Sequence, residues 1–177
     1  DGNIYIADTS NNRIMKWVPD ETEGTVVAGG NGAGSAFNQL NYPAGVTLDS
    51  DGNIYILENS NQRVTKWIAG AIEGTVVAGG NGAGSALNQL YSPSGIDIDS
   101  LGNLYISETG NHRVTKWIVD ATEGTIVAGG NGEGSANNQL NFPSHVVVNS
   151  FGDLYISSPN YNRIQKITIN PRITIAA

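Results

Sequence analysis

DGNIYILENSNQRVTKW, from Asp51 to Trp67, decides the fold because the chain writes it four times. It returns as DGNIYIADTSNNRIMKW from Asp1, LGNLYISETGNHRVTKW from Leu101 and FGDLYISSPNYNRIQKI from Phe151. The copies start at residues 1, 51, 101 and 151, a period of 50 without slippage. A second string fills the intervals: GTVVAGGNGAGSAFNQLNYP from Gly24, GTVVAGGNGAGSALNQLYSP from Gly74 and GTIVAGGNGEGSANNQLNFP from Gly124. A fixed period of this size marks a propeller, a solenoid or an array.

One complete unit shows which. Gly45 to Asp49 alternates as a strand, and Ser50-Asp51-Gly52-Asn53 is a tight turn. Ile54 to Leu57 is a second strand, and Arg63 to Ile68, rich in β-branched and aromatic residues, a third. Thr75 to Ala78 is a fourth, followed by a long Gly/Asn loop that closes on a proline. Ile54 and Ile56 lie on one face of their strand, Tyr55 and Leu57 on the other. A sheet apolar on both faces is packed between two neighbours, whereas an isolated antiparallel sheet keeps one polar face. The pattern predicts an all-β chain, a β-propeller of four-stranded antiparallel blades. One propeller segment covers residues 1–177, with blades at about 3–28, 45–78, 95–128 and 145–176. The first blade lacks its innermost strand. In the last, Ile167 replaces Trp and the Gly-rich loop is gone, leaving Asn170 to Ile175 as the outer strand. Terminal repeats depart from the consensus because they cap an array. The C-terminus therefore reads as close to a natural end and the N-terminus as cut.

Composition narrows the partners. The net charge is −7, yet eight of the nine basic residues, among them Arg13, Lys16, Arg63 and Lys66, recur at two phases of the repeat. They are scaffold positions spread around the molecule. Binding a nucleic acid needs clustered Lys and Arg to displace counterions, so no nucleic-acid partner is expected. With no Cys there is neither a disulfide framework nor a thiolate metal site. No apolar run reaches membrane-spanning length, so no membrane insertion is expected.

The string from Gly102 to Val114, GNLYISETGNHRV, resembles the NHL repeat. So do Gly52 to Ile56 with Asn61 and Arg63, and the preceding Pro93 to Asp99. The kelch pattern places its glycine pair before its tryptophan, whereas here Trp67 precedes Gly79-Gly80. The Trp-Asp dipeptide of WD-type blades is missing, since Trp17, Trp67 and Trp117 are followed by Val or Ile. The resemblance implies a propeller, usually of six blades, so the chain reads as part of a larger ring. The family includes protein-binding scaffolds, RNA-binding regulators, extracellular sensor domains and a zinc-dependent lyase. Fold on this scale does not fix function.

Several motifs invite chemistry that their context withdraws. Gly79 to Ser85 is glycine-rich, but a strand follows it and no lysine, so it is a connector rather than a phosphate loop. Asp49-Ser50-Asp51-Gly52-Asn53 opens like a calcium loop, but Leu101 and Phe151 stand at the sister positions of Asp51. A hairpin turn survives those changes and a calcium cage does not. Asp8 with Arg13, Glu58 with Arg63 and Glu108 with Arg113 face each other across a turn, as surface ion pairs worth about 0–1 kcal/mol each. His112, in place of Asn12 and Gln62, is read on a third strand. His145, in place of Gly45 and Gly95, is read on an innermost strand. Two strand spacings part them by roughly 10 Å, and no third histidine exists, so neither a metal nor another cofactor is expected. Asp97 stands where the sister units have Thr47 and Val147. The candidate binding residues, all on the face that carries the long loops, are Asn61, Asp97, Asn111, His112, His145 and Tyr161.

The resulting expectation is a non-catalytic interaction scaffold that takes a protein or glycan ligand on the long-loop face. Its expected setting is extracellular or secreted. The alternatives are a lyase-like or hydrolase-like propeller enzyme with its site at the channel mouth, and a structural subunit of an extracellular assembly or filament. Enzymes break the repeat at the channel mouth with several polar residues, and only Asp97 and His145 do so in this reading, which favours the scaffold. The open ends are expected to be covered either by more of the same polypeptide, which completes the ring, or by self-association with a second chain. The exposed residues are expected to be Trp17, Ile14 and Tyr5 at one end and Ile164, Ile167 and Tyr155 at the other.

Overall fold

The structure is a computed structural model and describes residues 2–169. Every sheet is an antiparallel meander. Blade 1 comprises β1 (Ile4–Asp8), β2 (Arg13–Trp17) and β3 (Thr25–Gly29). Blade 2 runs β4 (Pro43–Leu48), β5 (Ile54–Glu58), β6 (Arg63–Trp67) and β7 (Thr75–Gly79). Blade 3 repeats it with β8 (Pro93–Ile98), β9 (Leu104–Glu108), β10 (Arg113–Trp117) and β11 (Thr125–Gly129). Blade 4 contributes β12 (His145–Val148), β13 (Asp153–Ser158) and β14 (Arg163–Thr168). The outer strand expected over Asn170 to Ile175 lies outside the described residues.

Side-chain chemistry explains the turns. Between first and second strands, Asp49 Oδ1 accepts the amides of Asp51 and Asn53 at 3.1 and 2.9 Å. Asp99 and Asn149 do the same for their own turns. The residue at the second position of that turn contributes only its amide, which is why Asp51, Leu101 and Phe151 are interchangeable there. Gly79 ends β7 with φ 66°, and a Cβ there would collide with the Gln62 carbonyl oxygen. That is a position only glycine fills without strain.

The blades stack along the chain, with inner strand β4 against β1, β8 against β4 and β12 against β8. Each junction is apolar. Tyr55, Leu57, Val64 and Ala78 of blade 2 meet Leu104, Ile106 and Trp117 of blade 3. The same positions one period earlier and later build the other two junctions. The two end faces differ from expectation in their membership. Ile14 and Tyr5 pack against blade 2 and Ile167 packs against blade 3, since alternation points them inward. The bare faces carry Ile4, Ile6 and Trp17 at one end and Tyr155 and Ile164 at the other. Ile4 is 61% and Ile164 72% exposed.

The carboxylate–arginine pairs also need correction. Those of blades 2 and 3 are buried: Glu58 and Glu108 are fully so, and Arg63 and Arg113 nearly so. Arg63 Nε donates to Glu58 Oε1 at 2.8 Å, Thr65 Oγ1 to the same oxygen at 3.0 Å, and Trp67 Nε1 to Thr65 Oγ1 at 3.2 Å. The second carboxylate oxygen accepts from the Asn41 amide at 3.2 Å and from Asn61 Nδ2 at 2.6 Å. The Arg63 guanidinium continues to the Ser35 carbonyl at 2.8 Å and so ties down the preceding Gly/Asn loop. Only the Asp8–Arg13 pair is solvated.

Candidate functional site: the long-loop face

The long loops and the turns between second and third strands share one end of the blades. The Tyr42 carbonyl there accepts from the Asn59 amide, and the Ser92 carbonyl from Thr109. Short bonds pin one blade to the next at this end. Thr9 Oγ1, Asn59 Nδ2 and Thr109 Oγ1 donate to the carbonyls of Pro43, Pro93 and Pro143 at 2.8, 2.8 and 2.9 Å.

His112 belongs to a second set of pins. Its Nδ1 accepts from the Phe142 amide at 3.2 Å, as Asn12 Oδ1 accepts from Tyr42 at 3.0 Å and Gln62 Oε1 from Ser92 at 2.7 Å. It lies in the turn ahead of β10, not on the strand, with φ 51°. Its ring meets Phe142 edge to face at 4.6 Å. An accepting Nδ1 puts the proton of the neutral ring on Nε2. Asn61 and Asn111 also point inward. Their amides donate to the Gly34 and Gly84 carbonyls at 2.8 and 2.9 Å and to the buried glutamates. Asp97 is engaged across the junction, where its Oδ2 accepts from the Val148 amide at 2.8 Å. Tyr161 is exposed, with the Arg163 guanidinium 5.5 Å from its ring centre.

His145 is exposed at the start of β12, beside a hydroxyl cluster that the sequence reading missed. Ser144 Oγ lies 2.9 Å from Ser157 Oγ and 3.4 Å from His145 Nδ1, and the His145 amide donates to Ser157 Oγ at 3.1 Å. In blade 3, Ser94 Oγ lies 2.8 Å from Thr109 Oγ1 and 3.3 Å from Ser107 Oγ. Blade 2 has Ala44, Gly45 and Leu57 at these places. The departure from the repeat is visible in the aligned units, as Ala to Ser to Ser and Leu to Ser to Ser, but small hydroxyl residues carry no signal of chemistry by themselves. Missed too were the exposed rings of Tyr42, Tyr91 and Phe142. Among the described residues, no three His, Cys, Asp or Glu side chains gather as metal ligands would.

The opposite face has clefts between the first turns of successive blades. There the Lys66 and Lys116 ammonium groups lie 5.2 and 5.4 Å from the Tyr55 and Tyr105 ring centres. The two tyrosine hydroxyls donate to Asp49 and Asp99 at 3.2 and 3.1 Å. Burial and the neighbouring Asp99 push the Tyr105 hydroxyl well above its ordinary pKa. These polar groups satisfy one another, and the exposed tips around them, Leu101 and Phe151, are apolar.

Successive antiparallel meanders, with inner strands stacked and every long loop at the same end, define this molecule as a β-propeller chain. The model of the NHL repeat matches residues 40–67 and 90–117, one stretch in each of the two middle units, and these units are similar to those of NHL-repeat propellers. Among solved structures it is similar to an auxiliary nutrient binding protein from Bacteroides thetaiotaomicron, at 14% identity and a TM-score of 0.70 over 93% of this chain and 44% of that one. It is similar to virginiamycin B lyase from Staphylococcus aureus, at 18% identity and 0.59 over 94% of this chain and 49% of that one. A chain of the nidogen/laminin complex matches at 19% identity and 0.65, over 93% of this chain and 56% of that one. The chain thus spans about half the length of the structures it matches, and at these identities the likeness is one of fold. No curated protein matches in sequence.

Proposed function

We propose that the chain is a non-catalytic binding scaffold that takes a protein or glycan ligand on its long-loop face. The observation that carries this reading is the Ser94–Ser107 and Ser144–His145–Ser157 cluster, where polar departures from the repeat concentrate at the starts of two inner strands. Hydroxyls and an imidazole bind by hydrogen bonding. A serine nucleophile needs a base that is itself held by a third group, and among the described residues the His145 ring meets the Ser144 hydroxyl, not a carboxylate. Similar folds include a nutrient binding protein and a chain in a laminin complex, which suits a ligand-binding propeller. The test is a glycan array and an array of extracellular proteins, probed with the wild-type chain and with His145→Ala and Ser144→Ala. Weakened binding of a common hit in both variants supports the reading. Hits indifferent to this face, or turnover of a bound ligand, overturn it.

A second reading, self-association, rests on the two bare faces. They are the two halves of the junction that the chain builds three times internally, so one copy's fourth blade matches another copy's first. A head-to-tail contact of that kind closes into a ring or runs on as a filament.

A further inference from the structure

We propose that the ligand of the long-loop face is a neutral polysaccharide, stacked on Tyr42, Tyr91 and Phe142; this rests on the scaffold reading above. Each internal junction presents an exposed aromatic ring at this end: Tyr42 at 54%, Tyr91 at 46% and Phe142 at 38%, with Tyr161 beside the last. The rings do not come from the consensus alone. Positions 42, 92 and 142 carry Tyr, Ser and Phe, and where the ring is missing, at Ser92, Tyr91 replaces the asparagine of positions 41 and 141. A second change seats it. Gly110 stands where the sister units have Ser10, Ser60 and Asn160, and a Cβ there would come within 2.5 Å of the Tyr91 ring.

Packing accounts for only part of each ring: Phe142 meets His112 and Tyr91 lies over Gly110, yet much of every ring stays exposed. Two of them also sit on unfavourable backbone, with φ 54° at Tyr42 and 43° at Phe142. Bulky side chains rarely occupy that region, and such strain persists where the surroundings hold it and function uses it. Asn12 and His112 hold it here by accepting the two amides.

The chemistry selects the ligand class. The face of a pyranose ring that carries axial C–H groups is apolar and faintly positive, and it matches the negative face of an aromatic ring. Side chains flanking the rings in sequence and at the inner-strand starts are uncharged donors and acceptors: Ser92, Ser94, Thr109 and Ser144. Of the four arginines at this end, Arg63 and Arg113 are buried and neutralised by Glu58 and Glu108. Arg13 pairs with Asp8, Arg163 donates to the Ser135 and Gln139 carbonyls, and the net charge of −7 disfavours a uronate or sulfate. A ring at each junction suits a ligand that crosses several blades, and linked weak contacts multiply in affinity.

The experiment is affinity electrophoresis of the intact chain through gels containing a soluble β-glucan, xylan, mannan or galactan, with polygalacturonate as the acidic comparison. At least one neutral polymer slows the wild type and polygalacturonate does not. Tyr42→Ala, Tyr91→Ala and Phe142→Ala each weaken retardation about 3- to 10-fold, and the triple variant runs freely. Phe142→Tyr retains binding, and Phe151→Ala on the opposite face leaves it unchanged. Tyr42→Gly separates fold from function: it removes backbone strain, so it melts no lower than wild type, yet it binds less. No retardation by any neutral polymer overturns the proposal. Retardation that survives the triple aromatic variant but fails in His145→Ala overturns the stacking sites and leaves the scaffold reading standing. A protein hit lost in the triple variant, with no polysaccharide bound, overturns the ligand class.

Discussion

Glu108 shows how much one residue position decides. Its carboxylate accepts from Arg113, Thr115 and Asn111 and from the Tyr91 amide, and Thr115 passes the chain of bonds on to Trp117. Removing one partner of a buried pair leaves the other charge uncompensated, so Glu108→Ala is expected to lower stability by about 3–5 kcal/mol in urea melts. Blade 4 performs the reverse experiment. Ser158 and Gln165 replace the glutamate and threonine, and Ser158 Oγ, Arg163 Nε and Gln165 Oε1 are buried without a hydrogen-bond partner among the described residues. The double variant Ser158→Glu with Gln165→Thr is expected to gain about 1–3 kcal/mol, the cost usually attached to an unsatisfied buried group. An unchanged melting curve would show that other groups already satisfy them.

The turn aspartates set the acid limit. The Lys166 ammonium, with the Thr168 hydroxyl, holds the Asp153 carboxyl down at about 2. Burial pushes Asp49 and Asp99 up, but donated hydrogen bonds led by the Asn53 and Asn103 side chains outweigh it and leave both low. Arg13 and Asn11 lower Asp8. Folded values below the unfolded carboxylate value, about 3.9, mean that this stability is present above pH of about 4 and is lost as the pH falls through the folded values toward about 2. Melting temperature should therefore decline between those limits, and Asp153→Asn should flatten the decline. A melting temperature independent of pH over that range would contradict the assignment.

At the scale of the strand, the third strand of each blade is the most informative. Trp67 and Trp117 close β6 and β10, are nearly fully buried and lie over Gly74 and Gly124. Truncating either to alanine should cost about 3–5 kcal/mol through the cavity left behind. Trp17, at the same register on the bare face of blade 1, should cost distinctly less. Equal losses at all three positions would mean that the first blade's outer face is covered. This level was also the most legible from sequence. Period, strand count and turn type all follow from alternation and from Asp, Asn and Gly at fixed phases. Burial of the Glu–Arg pairs was not legible, because a carboxylate and a guanidinium five residues apart read as solvated until a neighbouring loop is known to cover them. His112 was misplaced for a related reason. Its partner, the Phe142 amide, lies thirty residues on, and nothing local announces it. The aromatic and hydroxyl departures were readable in the aligned repeats, but they fell outside the residue types that suggest catalysis.

At the scale of the molecule, the account holds that four blades form an arc with two bare, mutually matching faces. Propellers dispense with open faces by closing radially, so apolar surface of this kind would be covered by further blades or by a second copy. Ile4, Ile6 and Trp17 at one end and Tyr155 and Ile164 at the other are that surface. The most direct measurement is multi-angle light scattering on residues 1–177, repeated with Ile4→Lys and Ile164→Lys. Residues 1–177 should associate with rising concentration, and either substitution should abolish it, because each ruins one half of the same junction. A strictly monomeric particle with a sharp melting transition, indifferent to both substitutions, would contradict it.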